Sequence, residues 1–175
     1  MSNLTFANRL QHLGDLQKTY MWELYIPQIE ELETDDMLLR VRSAQIPGRT
    51  IEQITSFFLG SSSKFPGKTT FSETFTTLFE EFEDRKVFKA ITSWMDFIYN
   101  PSPTDADGGA SKGDKNALSR TISLRLLSTQ NKKLGEIEFS GCWPSNIAEV
   151  EMSYEAGEAV KHTVTWSFDY WIRKD

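Results

Sequence analysis

Few side chains in this chain are of the types that catalysis or metal binding requires. Histidine occurs only at His12 and His162, cysteine only at Cys142, and neither an HExxH nor a CxxC motif is present. A zinc site needs several His or Cys ligands at short spacings, so no metal site is predicted. A cysteine nucleophile needs a neighbouring base. No such base is evident near Cys142, which we interpret as a small buried side chain. We interpret His162 as a buried or interface histidine with a hydrogen-bond partner.

Acidic residues could provide a carboxylate pair, as in glycoside hydrolysis. Glu136 and Glu138, or Glu149 and Glu151, would lie side by side on one face of a strand. The same spacing is typical of a solvated strand face, which is the interpretation we favour. The segment "DADGGASKGDKN" has aspartates at calcium-loop spacing but lacks the required Gly and Glu at positions six and twelve.

The segment "FPGKTTF" suggests a phosphate-binding loop. The Walker A pattern needs a glycine where Ser62 stands, and a strand rather than a helix follows. With no catalytic or cofactor-binding motif present, we predict that the protein has no cofactor and is not an enzyme.

Alternation of apolar and polar residues predicts about seven strands, because successive side chains of a strand point to opposite faces. The predicted strands cover residues 20–26, 37–43, 71–79, 122–126, 137–139, 148–154 and 160–170. The last strand would direct His162, Trp166, Phe168 and Tyr170 to one face.

Two helices are predicted beside these strands. A weak amphipathic helix covers residues 1–19, and a longer one covers 84–99 with Asp84 as its N-cap. Its apolar stripe comprises Val87, Ile91, Trp94, Met95 and Ile98. Together the elements predict a mainly β fold: an antiparallel sandwich or barrel with one flanking helix, formed by a single domain over residues 1–175.

Residues 46–68 combine turn signals with an unusual number of apolar side chains. This composition predicts a protruding hairpin or loop that docks on another molecule. The candidate assembly residues are Ile46, Pro47, Ile51, Ile54, Phe57, Phe58, Leu59 and Phe65. Residues 101–119, by contrast, are polar and glycine-rich, and are predicted to form a flexible surface loop.

Composition restricts the class of partner. The chain has 175 residues, 39% hydrophobic content and a net charge of −6, which disfavours a DNA-binding surface built from clustered Lys and Arg. The N-terminus lacks the features of a signal peptide, and no apolar run approaches the ~20 residues of a membrane span. We therefore expect synthesis in the cytoplasm and no membrane span.

The segment "GCWPSNIAEVEMSYEAGEAVKHTVTWSFDYW" resembles the C-terminal signature of the tail tube proteins of contractile-tailed bacteriophages. The matching residues are Gly141, Trp143, Pro144, Asn146, Asp169, Tyr170 and Trp171. Upstream, "MWELYIP" and "LLRVRSAQIPGRTIEQI" are similar to the family's opening hairpin. The order of "FPGKTTFSETFTTLFEE", a helix and a glycine-rich loop also agrees.

The resemblance implies a structural protein. Members form hexameric rings whose inner sheets join into a barrel, and the rings stack into a tube inside a contractile sheath. The lumen holds the tape measure protein and later conducts DNA, without specific binding. The implied partners are other copies of the chain, the sheath, the tape measure protein, the baseplate initiator and the tail terminator. The implied location is the virion tail, assembled in the host cytoplasm.

Within that resemblance, Glu136, Glu138, Glu149 and Glu151 are candidate lumen residues. Alternatives within the fold are a tube initiator or baseplate protein, or the inner tube of a related contractile injection system. More remote alternatives are a carbohydrate-binding β-sandwich that uses Trp171 as its aromatic platform, and a glycosidase.

Overall fold

The computed structural model describes residues 16–28, 34–99, 115–154 and 157–174. Its strands are β1 (Trp22–Tyr25), β2 (Val41–Ala44), β3 (Arg49–Phe58), β4 (Ser61–Phe71), β5 (Thr74–Glu80), β6 (Arg120–Leu127), β7 (Lys133–Ile147), β8 (Lys161–Ser167) and β9 (Tyr170–Lys174). Its helices are α1 (Thr34–Arg40), α2 (Lys86–Ile98) and α3 (Lys115–Leu118). No helix in these ranges is long and apolar enough to cross a membrane.

Two predictions fall largely outside the described ranges. Most of the weak helix over 1–19 is not described, although residues 16–18 are non-helical. The polar loop over 101–119 is described only from residue 115, where its end forms the short helix α3 rather than a loop.

Seven antiparallel strands follow the order β1-β6-β7-β8-β5-β2, with β9 also paired to β7. Strand β7 is shared between two parts of this sheet. Its residues up to Cys142 pair with β6 or β9, and those from Trp143 onward pair with β8. Strands β1 and β2 lie at opposite ends of the order, and no pairing in the described ranges closes the sheet into a barrel. The prediction of a mainly β, antiparallel fold is confirmed, with the sheet open rather than closed into a barrel within the described ranges.

Aromatic side chains join the two parts of the sheet in one core. The rings of Phe75 on β5 and Phe139 on β7 stack with centroids 4.4 Å apart. The buried Trp166 on β8 donates from Nε1 to Thr77 Oγ1 at 2.8 Å, so its polar atom is satisfied. Helix α2 packs onto this core through Trp94, whose ring lies 5.6 Å from that of Trp166.

Helix α2 begins at Lys86 with Arg85 at its N-cap, so the predicted N-cap at Asp84 is wrong by one residue. Acids from the preceding loop nevertheless bind the free amides of the helix. Asp84 Oδ1 accepts from the Lys86 N–H at 3.3 Å. The Glu81 carboxylate accepts from the N–H groups of Val87 at 3.3 Å and Phe88 at 2.7 Å, which satisfies donors that have no partner within the helix. The predicted stripe is confirmed: Val87, Ile91 and Trp94 are buried, and Met95 and Ile98 pack partly buried beside them.

The strand predicted over residues 37–43 is wrong in its first half. Residues up to Arg40 form α1, and only then does β2 begin. Met37 and Arg40 are both buried, and side chains three residues apart share a face in a helix but not in a strand. The predicted opening hairpin is also wrong, because β2 pairs with β5 and β1 pairs with β6.

Other strand predictions fail where pairing ends. The chain forms no strand over 148–154, and Met152 and Tyr154 are exposed. The predicted strand over 160–170 is interrupted at Phe168 and Asp169, so that it becomes β8 and β9. Phe71 ends β4 and is exposed rather than sharing the buried face of β5.

Candidate assembly surfaces

Strands β3 and β4 form a hairpin that projects from the sandwich. In the described ranges they pair only with each other, and every residue of β3 is exposed. The pairing is continuous from Arg49 opposite Phe71 to Phe58 opposite Ser61, apart from one irregularity between Ile51 and Gln53. The predicted protruding hairpin is therefore confirmed, and it extends to Phe71.

Both faces of the hairpin carry exposed apolar side chains. Alternation along β3, combined with the cross-strand register, assigns each residue to a face. One face carries Ile51, Phe57 and Phe71 together with Arg49 and Lys64; the other carries Ile54, Phe58 and Phe65 together with Glu52. A two-stranded ribbon is marginally stable in water, and exposed apolar surface of this kind marks an interaction site.

The turn at the tip of the hairpin places a large apolar residue in an unfavourable backbone conformation. Leu59 has φ 47° and Gly60 has φ 79°, as a type I′ turn requires at both central positions. A left-handed residue with a Cβ costs roughly 1–2 kcal/mol, which Gly or Asn would reduce. Leu59 is nevertheless 89% exposed, so no packing among the described residues accounts for an apolar residue there.

The other predicted assembly residues lie at the base of the hairpin. Ile46 is exposed, whereas Pro47 is buried. Pro47 therefore has no free surface in the subunit, and the candidate docking residues reduce to Ile46 and the apolar side chains of the hairpin.

Glu136 and Glu138 lie on the face of β7 opposite the core residues Ile137 and Phe139, and both are paired with cations. Glu136 is itself buried, whereas Glu138 is partly exposed. Glu136 Oε1 accepts from Arg125 Nε at 3.2 Å and Oε2 from Lys133 Nζ at 2.6 Å. The Lys133 ammonium, opposed by partial burial and helped by Arg125, holds the pKa of Glu136 below its usual range. Glu138 forms an ion pair with Lys174. The acidic residues on this part of the sheet are therefore paired with cations and do not form an unpaired acidic surface.

Glu149 and Glu151 lie elsewhere, beyond the end of β7. Glu149 lines a groove beside the start of α2, and Glu151 is exposed in the non-strand segment that follows. We call this the acid-rimmed groove. Its floor is our name for its apolar lining residues, which include Phe82, Phe88 and Val160, and its rim is our name for its exposed acids Glu83, Glu149 and Glu158. The four predicted lumen residues are thus not brought together on one surface.

The family-signature residues form a corner where the chain passes between the two parts of the sheet. Gly141 has φ 71°, and a Cβ at this position would lie 2.2 Å from Asp169 Oδ2. The Asp169 N–H donates to the Ser140 carbonyl at 3.0 Å, and its Oδ1 accepts from Lys115 Nζ at 2.5 Å. Around this corner Pro144 is buried, Trp143, Asn146 and Tyr170 are exposed, and Trp171 packs partly buried against the core.

Cys142 and His162 are both in the interior, as predicted. Burial raises the pKa of the Cys142 thiol to about 12, so this thiol is not an activated nucleophile. His162 is buried beside Phe88, with ring centroids 5.5 Å apart, and its Nε2 lies 3.5 Å from Glu81 Oε2. No hydrogen-bond partner for its Nδ1 exists in the described ranges. His12 and the "DADGGASKGD" part of the calcium-like segment lie outside those ranges.

A partly buried ionic cluster beside the groove, in which Arg40 is buried and Asp84 is exposed, was not predicted from the sequence. Arg40 on α1 donates from both Nη atoms to the Asp84 carboxylate, at 2.8 and 2.6 Å, and lies 3.6 Å from Glu81. The guanidinium holds the pKa of Asp84 well below its usual range, at about 2. The available signal was the spacing of Met37 and Arg40 together with the acids before α2.

Comparison with solved structures supports the fold described above. The fold is that of tube and tube-terminator proteins of contractile injection systems. It matches the sheath/tube terminator of the PVC extracellular contractile injection system (TM-score 0.64, 12% identity, 93% of this chain and 99% of that one). It also matches the tube terminating cap of the anti-feeding prophage (TM-score 0.61, 13% identity, 92% of both chains) and a chain of the PVC sheath–tube complex (TM-score 0.60, 13% identity, 99% and 98%).

Sequence comparison identifies the family. The phage tail tube protein family model matches residues 12–174, and the chain belongs to this family. It is 22% identical over 160 residues to tail tube protein gp19 of Enterobacteria phage T4, covering 90% of this chain and 92% of that protein. The chain is therefore a structural protein of the tail tube type, and these relatives are tube proteins rather than enzymes.

Proposed function

We propose that this chain is the subunit of the inner tube of a contractile phage tail. Six copies form a ring, and rings stack into a hollow tube that encloses the tape measure protein and later conducts DNA into the host. The observation that carries the proposal is the hairpin Arg49–Phe71, which exposes apolar residues on both faces and at its tip. Burying these side chains requires neighbouring molecules, and head-to-tail contacts between copies close into rings or continue as tubes.

The proposed partners follow from the position of such a tube. The sheath would surround it, as the PVC sheath–tube complex contains a chain of this fold. An initiator at the baseplate and a terminator would bound its ends. Assembly would take place in the host cytoplasm, and the mature tube would form part of the virion tail.

A lumen that passes DNA must not hold its phosphates. The face of β7 that contains Glu136 and Glu138 is suited to this, because Arg125, Lys133 and Lys174 are each paired with a carboxylate there. Cations that are already paired with carboxylates neutralise few phosphates and so release few counterions from the DNA, which keeps retention weak. We therefore keep Glu136 and Glu138 as lumen candidates. Glu149 and Glu151 would lie off this wall.

The test of the proposal is the assembly state of the purified protein. Negative-stain microscopy at high concentration, alone or with its tail initiator, should show rings or tubes of uniform bore. A version in which a short Gly-Ser linker replaces residues 49–71 should remain folded and soluble but fail to form tubes. A protein that stays monomeric under all these conditions would count against a tube subunit.

One alternative has specific support, since two of the similar structures are a tube terminator and a tube-terminating cap. A terminator or an initiator would form rings that do not stack on themselves. The same micrographs separate these roles, because rings without tubes indicate an end protein and long tubes indicate the main tube. The inner tube of a related injection system would behave as the main tube does. The carbohydrate-binding alternative has no such support, because Trp171 packs against the core.

A further inference from the structure

The hairpin and the acid-rimmed groove lie at opposite ends of strand β5. The hairpin ends at Phe71, just before β5 begins at Thr74, and the groove begins at Glu81, just after β5 ends. Strand β8 confirms the polarity, because Lys161 at the groove end lies opposite Glu80 and Ser167 at the hairpin end lies opposite Thr74. A strand of this length separates the two features by roughly 20 Å.

The groove combines apolar surface with unpaired negative charge. Phe82 on its floor is half exposed. Glu83, Glu149 and Glu158 line it, and none of them forms an ion pair within the part of the chain that the structure describes. The one exposed cation among its lining residues is Arg85, whose guanidinium lies over the Phe88 ring at 5.4 Å. An occupant should therefore be apolar and cationic.

One face of the hairpin has this chemistry. It presents Phe57 and Ile51 with the cations Lys64 and Arg49, and the only acid of β3 or β4, Glu52, lies on the opposite face. Neither cation forms an ion pair with any described residue. The apolar and charged parts of this face therefore complement the floor and the rim of the groove.

We propose that the hairpin of one copy of this chain docks into the acid-rimmed groove of a second copy. The face containing Phe57 and Lys64 lies against the groove, and the tip residue Leu59 is buried between the two molecules. Because the two surfaces lie at opposite ends of β5, the contact is heterologous, and in the proposed tube it joins a subunit of one ring to a subunit of the next ring. The inference rests on the proposed tube function and identifies the surface that receives the hairpin.

Two variants block the two halves of this contact without touching the core. Leu59→Asn removes the apolar tip but places a residue suited to φ 47° in the turn, so the hairpin itself should be no less stable. Glu149→Lys combined with Glu158→Lys reverses the charge of the groove rim. Asp96→Lys, at an exposed position of α2 outside the groove lining, is the control for reversal of a charge elsewhere on the surface, and each groove substitution is compared with it singly as well as in combination.

Each blocked variant should form rings but no tubes, or need at least about tenfold more protein to form them. The control should form tubes like the unmodified protein. Mixing Leu59→Asn rings with groove-reversed rings is the decisive step. The first still has its groove and the second its hairpin, so the mixture should give pairs of rings and nothing longer.

Two results would overturn the inference. One is groove-reversed protein that forms tubes as readily as the control, since the hairpin must then dock elsewhere and the groove faces another partner such as the sheath. The other is a mixture that contains no ring pairs. In both cases the unmodified protein still forms tubes, so the proposed function stands; if the unmodified protein forms neither rings nor tubes, that function fails first.

Discussion

The hairpin and the sandwich core use the same residue types for different purposes. Phe57 in the hairpin is 79% exposed, whereas Phe75 in β5 is 2% exposed and stacked on Phe139. The core residues satisfy one another within the subunit, and the hairpin residues have no partner of this kind in the described ranges. The aromatic residues of this chain therefore fall into two groups: those that stabilise the folded subunit, and those that remain exposed and available for contact with other molecules.

The sharpest contrast is between Trp166→Ala and Phe57→Ala. Loss of Trp166 removes a fully buried ring beside Trp94 and Phe75, so we expect the free energy of unfolding to fall by about 3–5 kcal/mol. Phe57→Ala should change it by less than about 0.5 kcal/mol. Urea unfolding of the disassembled subunit measures both. Similar losses for the two variants would show that the hairpin packs within its own subunit.

A second contrast compares two glycines with positive φ. Gly141→Ala adds a Cβ 2.2 Å from Asp169 Oδ2 at the corner, whereas Gly60→Ala meets nothing within 4 Å at the hairpin tip. We expect at least about 2 kcal/mol of destabilisation at Gly141 and about 1 kcal/mol at Gly60, where only the left-handed backbone opposes the change.

A third variant separates steric clash from backbone strain at the corner. Combining Gly141→Ala with Asp169→Ala removes the carboxylate and should recover part of the loss, measured again by urea unfolding. Equal stability of the single and double variants would mean that the carboxylate moves aside without cost.

The sequence predicted those elements whose alternation matches burial. Strands β5 and β8 and helix α2 were found because Phe75, Trp166 and Trp94 belong to regular apolar patterns that coincide with the core. The prediction was wrong where the alternation of apolar and polar residues continued beyond the last residue that pairs with another strand. Residues 148–154 alternate, but the chain leaves the sheet at Ile147. Helix α1 is only seven residues long, too short for its periodicity to be distinguished from that of a strand.

The assembly surfaces were predictable only in part. The hairpin is local in sequence, so an apolar segment between turn signals was sufficient to predict it. The acid-rimmed groove is assembled from the loop before α2, the end of β7 and the start of β8. The corner at Asp169 depends in the same way on Gly141 from another strand. Contacts between distant segments have no local pattern, so alternation could not reveal them.

The buried polar contact in the core gives a smaller contrast. Thr77→Val removes the hydroxyl that accepts from Trp166 Nε1 and leaves a buried N–H without a partner, at a cost of about 1–3 kcal/mol. Thr55→Val on the exposed hairpin should leave the free energy of unfolding nearly unchanged. Urea unfolding compares the two, and an unaffected Thr77→Val protein would mean that the indole finds another acceptor.

The smallest expected effect is the acid dependence of stability caused by the Arg40–Asp84 pair. Arg40 lowers the pKa of Asp84 in the folded protein from 3.8 to about 2. A carboxyl whose folded pKa is depressed binds its proton more readily when unfolded. The pair therefore contributes its full stability above about pH 4 and loses it as the pH falls toward 2.

In Asp84→Asn the free energy of unfolding should be lower at neutral pH, and this part of its decline with acid should be absent. Urea midpoints measured between pH 5 and pH 2 test this, with the exposed Asp96→Asn as control. If the Asp84→Asn curve runs parallel to that of the unmodified protein, the pair contributes nothing to acid sensitivity, and the hydrogen bonds of Asp84 to Arg40 serve only to position α1 against the start of α2.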